Sequence, residues 1–163
     1  MKTVDSPAFR GFSFIVATFA VCFIQDVSAY SLGAPYSTCF TRYPKHSHTP
    51  AQRGENPYAI RLSRPQYLPG ETIKVEISSS DPGENPIKGF QIAAFVDNTN
   101  DCEPMTIVGQ FSDVDESKST IFSCLGTANS VRNMVTHKNN GIVNLVSFSW
   151  TAPSPSVGNI KFM

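Results

Sequence analysis

The chain has 163 residues, with 13 Lys and Arg balanced by 13 Asp and Glu, 40% hydrophobic residues and 12 Pro. Zero formal charge excludes the broadly basic surface by which nucleic-acid binders displace counterions. No segment sustains a 3.6-residue apolar period, which excludes a helical bundle, and the missing charge and amphipathic helix together exclude a membrane-lytic peptide.

Lys2 and Arg10 precede an apolar run from Gly11 to Ile24 that ends in Val27-Ser28-Ala29. This order of basic, apolar and small residues predicts a signal peptide over residues 1–29, with Tyr30 opening the mature chain. No later stretch is apolar for long enough to span a bilayer, so the product is expected to be secreted and not membrane-inserted. Removing 29 of the 163 residues leaves 134, enough for one domain over residues 30–163. Lys2, Arg10, Asp5 and Asp26 leave with the leader, so the totals of 13 fall to 11 basic and 11 acidic residues. Cys22 leaves too, and Cys39, Cys102 and Cys124 remain in an oxidising compartment. One bridge and one leftover thiol are expected, and spacing leaves all three pairings open.

Pro35, Pro44, Pro50 and Pro57 then impose a long irregular lead-in where only short segments fit. From Thr72 to Ser78, Ile73, Val75 and Ile77 alternate with Lys74 and Glu76, the pattern of a half-buried strand. Further β-branched and aromatic runs cover Tyr58–Leu62, Gly89–Val96, Ile107–Phe111, Ser119–Leu125, Ser130–Thr136, Val143–Trp150 and Gly158–Phe162. Turn residues at Pro69-Gly70, Asp81-Pro82-Gly83, Asn139-Asn140-Gly141 and Pro153–Gly158 separate them. This rhythm predicts an all-β antiparallel sandwich with Trp150 in its core.

Candidate chemistry is sparse. The three imidazoles, His46, His48 and His137, form no metalloprotease motif, and no nucleophile elbow, phosphate loop or Cys-x-x-Cys is present. Neither catalysis, nor a metal, nor a cofactor is expected. Asp97-Asn98-Thr99-Asn100-Asp101 fails the EF-hand pattern, which requires Asp or Asn where Thr99 stands and Gly where Cys102 stands. Charge is segregated, however. Arg42, Lys45, Arg53, Arg61 and Arg64 face only Glu55 within residues 39–64, and residues 97–116 are acidic without one Lys or Arg. Two surface poles and two separately solvated loops are both compatible with this pattern.

Gly33-Ala34-Pro35, Cys39, Pro44-Lys45-His46, Pro57-Tyr58, Tyr67 with Pro69-Gly70, Lys88-Gly89-Phe90, Gly109-Gln110-Phe111, Cys124, Thr136-His137, Phe148-Ser149-Trp150-Thr151-Ala152-Pro153 and Gly158-Asn159-Ile160-Lys161-Phe162 follow one another along the chain. This set resembles the reeler (reelin-like) domain, and a leader followed by one such domain is similar to the small secreted insect defence proteins of the noduler-like group. The resemblance implies an immunoglobulin-like antiparallel β-sandwich from about Gly33 to Phe162 and a bridge between Cys39 and Cys124, leaving Cys102 as the odd cysteine. Against the family pattern the last strand ends short, at Met163. The resemblance also implies a role in innate immunity: binding microbial surface glycolipids and polysaccharides such as lipopolysaccharide, contact with haemocytes, and antimicrobial activity. Within this chain, Arg42, Lys45, His46 and Arg53 are the cations of the lead-in that could meet lipid phosphates or polyanionic glycans. Two other roles belong to the same family: a matrix or adhesion module, and the N-terminal piece of a ferric-chelate-reductase-like membrane protein whose redox chemistry lies in downstream haem-binding segments.

Overall fold

The computed structural model describes residues 30, 32–43, 52–97, 106–125 and 131–163. The expected signal peptide, Lys45, His46 and Cys102 lie outside the described residues.

The alternating run expected at Thr72–Ser78 forms β2 (Thr72–Ser79), with Ile73, Val75 and Ile77 buried between exposed or half-buried polar residues. It lies between β1 (Tyr58–Leu62) and β8 (Leu145–Thr151), both antiparallel to it, and β5 (Gln110–Ser112) closes the order β1-β2-β8-β5. Opposed residues share a face, so Val75 meets Phe148 and Ile73 meets Trp150 on the inner side. Phe111 packs edge-on against Phe148 with ring centroids 5.5 Å apart. Burial of each of these phenyl rings stabilises the fold by about 1.5–3 kcal/mol. The outer side carries Thr72, whose hydroxyl bonds that of Thr151 at 2.9 Å, and the ion pair of Lys74 with Glu76.

Trp150 is fully buried, as the alternation of Val146, Phe148 and Trp150 predicts. Its indole N–H donates to the Val108 carbonyl at 3.1 Å, which satisfies the ring's one polar group inside the core. Tyr67 meets the indole edge-on at 5.7 Å, and its hydroxyl donates to the Gly158 carbonyl at 2.6 Å. Gly109 also lies against the indole. Its φ of +73° places it in the left-handed region, and a Cβ there would lie 2.4 Å from indole atoms. This turn explains why the strand expected at Ile107–Phe111 begins only at Gln110: Ile107 keeps a single bridge, to Phe95.

The second layer contains β3 (Gln91–Ile92), β7 (Met134–His137) and β6 (Ser119–Phe122), in the order β3-β7-β6, together with the pair β4 (Ala94–Val96) and β9 (Ile160–Phe162). The run Gly89–Val96 is therefore not one strand. Its first part pairs with β7 and its second with β9, and the partners change at Ala93, whose N–H and carbonyl both bond Met163 at 3.0 Å. Val135, Ile92 and Ala94 face the first layer, whereas Met134, Phe95 and Ala93 pack on the opposite side with Cys39, Ile107 and Cys124. Both faces of this layer are covered, which is why Met134, Val135 and Thr136 are buried in succession without alternation.

The outer cover is the lead-in itself. Its prolines restrict helix to one turn, α1 (Thr38–Thr41), between Pro35 and Pro44, and the following Arg42 adopts a left-handed φ of 49°. Cys39 of this turn is joined to Cys124.

Candidate functional site

Three anchors fasten the lead-in to the second layer. The first is the disulfide between Cys39 and Cys124, with Cα atoms 5.7 Å apart and both residues buried. Asn133 steadies the same point: its side-chain carbonyl accepts the Cys124 N–H at 2.8 Å and its amide donates to the Cys124 carbonyl at 3.2 Å. A buried side chain thus supplies the donor and acceptor that a neighbouring strand would otherwise provide.

Thr136 and His137 make the second anchor. The Thr136 hydroxyl donates to the Phe90 carbonyl at 2.8 Å and accepts the Ala34 N–H at 3.0 Å. The His137 ring bridges the lead-in and the Phe90 backbone: Nε2 lies 2.9 Å from the Tyr30 carbonyl, and Nδ1 lies 3.1 Å from the Phe90 carbonyl and 3.2 Å from the Phe90 nitrogen. Tyr30 is the residue at which the mature chain is expected to begin. Gly33 lies flat against this pair, because a Cβ there would come within 3.0 Å of the His137 carbonyl and 3.1 Å of the Thr136 methyl.

The third anchor is Arg42. Its guanidinium lies 4.3 Å from the centre of the Phe95 ring and within 3.6 Å of the Met163 sulfur. Partial burial holds its pKa below the usual guanidinium value. Of the cations singled out in the sequence, Arg42 is therefore engaged in packing, whereas Arg53 is exposed. Lys45 and His46 lie outside the described residues.

A second group of cations is visible only in the fold. The Lys138 N–H bonds the Lys118 carbonyl at 2.8 Å, which makes these lysines neighbours across strands. Lys88 stands two residues before Phe90, whose carbonyl accepts the His137 N–H at 3.2 Å. All three lysines are exposed, and Lys118 forms a 3.0 Å ion pair with Asp115. The positions are 20 to 50 residues apart in sequence, and only strand pairing could have revealed them. Among the described residues no group of three metal-ligating side chains converges.

The acidic pole is neutralised in part where it is described: Asp97 pairs with Lys161 at 3.1 Å, and Asp115 with Lys118. The Asp115 carboxyl is lowered to about 2, first by the Ser117 hydroxyl bond and then by Lys118 and the Ser117 N–H.

The Reeler domain family matches residues 37–163 of this chain. The chain belongs to that family. Among relatives of this Reeler domain, "Putative defense protein 3" of Antheraea mylitta is 33% identical over 152 residues, spanning 93% of this chain and 83% of its own. "Putative ferric-chelate reductase 1" of Xenopus laevis is 31% identical over 144 residues, 87% of this chain, but the chain spans only 22% of that protein's length. The human F-spondin reeler domain has the same fold, with a TM-score of 0.54 at 17% identity over 78% of this chain and 82% of that structure. The Cys39–Cys124 bridge that the resemblance implied is present. Thr136-His137 acquires a physical reason: the pair binds the Phe90 backbone and the lead-in at once.

Proposed function

We propose that this Reeler domain works outside the cell as a defence protein that binds anionic components of microbial surfaces, lipopolysaccharide among them, and performs no catalysis. The observation that carries this reading is coverage. The likeness to the Antheraea mylitta defence protein runs through most of both chains, whereas the likeness to the reductase occupies about a fifth of that protein. A buried disulfide closing 85 residues of chain suits an oxidising compartment, and no described helix is long and apolar enough to cross a membrane. Arg53 supplies an exposed cation for phosphate, with Lys45 and His46 as its partners in sequence.

Sedimentation with lipopolysaccharide vesicles, against phosphatidylcholine vesicles as the reference, tests this reading. Lys45→Glu, His46→Glu and Arg53→Glu together should weaken binding at least about tenfold and flatten its salt dependence. Arg42 is left unchanged because it packs on Phe95. Undiminished binding by the triple variant would move the ligand surface away from the lead-in, with Lys88, Lys118 and Lys138 the next group to reverse. Failure of the unmodified protein to bind would remove the reading. The reductase likeness supports a second one, in which the domain is the extracellular portion of a membrane reductase. A haem spectrum in the membrane-bound product of the same gene would favour it.

A further inference from the structure

The first strand stands apart from the others. All five residues of β1 are exposed, and β1 ends the order β1-β2-β8-β5, so no described strand lies along its other side. The bonds to β2 determine which groups point there. The Ser63 N–H reaches the Lys74 carbonyl at 2.9 Å, and the Ser80 N–H reaches the Pro57 carbonyl at 2.8 Å. Tyr58 is opposite Ser79 and Leu62 opposite Val75, and direction alternates along an antiparallel ladder. Residues 57, 59, 61 and 63 therefore turn their backbone groups to β2, and Tyr58, Ile60 and Leu62 turn theirs to the open edge. Asn56 Oδ1 accepts the Tyr58 N–H at 3.0 Å. Among the described residues, nothing bonds the backbone N–H or carbonyl of Ile60 or Leu62.

The same three residues carry an apolar stripe. Ile60 and Leu62 are opposite Ile77 and Val75, which are 8% and 0% exposed, yet Tyr58, Ile60 and Leu62 remain 41%, 43% and 40% exposed. Open backbone and open apolar surface thus coincide. Edge strands normally avoid pairing through a charge on the inner face, a proline within the strand or a bulge. Between Tyr58 and Leu62 there is none of these, and the one charge, Arg61, lies on the outer face.

We propose that β1 pairs with β1 of a second copy, antiparallel about a two-fold axis at Ile60, joining two four-stranded sheets edge to edge. In that register Ile60 faces the second copy's Ile60 and exchanges both backbone bonds with it. Tyr58 faces the second copy's Leu62, an aromatic–aliphatic pair of the kind that stabilises sheets. Arg61 comes opposite Ala59, so the strand's charge meets no like charge. This self-complementarity favours a second copy over an unrelated strand, and a two-fold interface requires it. Five paired residues bury less than the roughly 1,200–2,000 Å² of a standard interface. The dimer is accordingly weak and forms with a Kd on the order of 10–1,000 μM.

Sedimentation velocity on the mature chain, from about 1 μM to above this Kd range, should show the average mass rising toward twice the monomer. Ile60→Lys places two cations opposite each other and should weaken the association at least tenfold, with Trp150 fluorescence confirming the fold. Hydrogen exchange on the unmodified protein tests the same claim without a variant. Raising the concentration should protect the Ile60 and Leu62 amides, while Ala59 and Arg61, already bonded to β2, should not change. A monomer throughout the range would overturn the proposal, as would a dimer that Ile60→Lys leaves undiminished. Protection of Ile60 and Leu62 that does not vary with concentration would also overturn it, because the chain itself would then cover β1.

Discussion

Replacing Gly109 by alanine should be among the most costly single-methyl changes in the protein, and its cost can be separated into two parts. The first is conformational: a φ of +73° is unfavourable for a residue with a Cβ by roughly 1–2 kcal/mol. The second is steric, since the new methyl would lie 2.4 Å from Trp150 and 2.6 Å from the Thr151 carbonyl. The buried indole, held by Val108, must shift to admit it, at about 1–3 kcal/mol. Together these give about 2–5 kcal/mol, or a fall in Tm of about 6–25 °C for a domain of this size. Gly70 has the same φ of +73° with nothing within 4 Å of its Cβ position, so Gly70→Ala should show the conformational part alone. Urea unfolding followed by tryptophan emission suits the comparison, because Trp150 is the only tryptophan and its native emission should move to the red in Gly109→Ala alone. Equal losses at the two glycines, or an unshifted spectrum, would show that the indole does not resist the added methyl.

Replacing Cys39 and Cys124 together by alanine should cost about 4–5 kcal/mol in the chain-entropy description, given their separation of 85 residues, and denaturant midpoints measure it. Asn133→Ala removes two bonds to the Cys124 backbone in a buried site and should cost about 2–4 kcal/mol by the same assay. Asp115, lowered to about 2 in the folded chain from an ordinary 3.8, lends stability that is fully present above pH 3.8 and is lost as the pH falls through 2. The Tm difference between the unmodified protein and Asp115→Asn should therefore be constant from pH 7 to about 5, shrink as the pH falls from there and vanish only below pH 2, and a difference that does not shrink in acid would contradict the assignment.

The parts of the fold legible in the sequence are those where one face of a strand meets water. β2 and β8 alternate because their outer faces are solvated, and β1 was readable to the residue between Pro57 and Ser63. Where both faces are buried the period disappears, and the change of partner at Ala93 leaves no trace in the run Gly89–Val96. Gly109 was visible as a glycine, but its contact with Trp150 depends on the pairing of Gln110 with Thr151 and of Phe111 with Trp150, far apart in sequence. The candidate site was legible as composition and not as geometry. Arg42 reads like the other cations of the lead-in until Phe95 is placed beneath it, and Lys118 and Lys138 become neighbours only through the pairing of β6 with β7.

The Cys39–Cys124 bridge seals the lead-in onto the sandwich, and we propose that the domain is exported in this form to meet its partners outside the cell. A mass spectrum of the unreduced protein collected from the medium of expressing cells tests it most directly. Export with the bridge closed predicts a chain beginning at Tyr30 and a cross-linked peptide pair containing Cys39 and Cys124. Protein retained inside the cell with residues 1–29 intact and both cysteines reduced would contradict it.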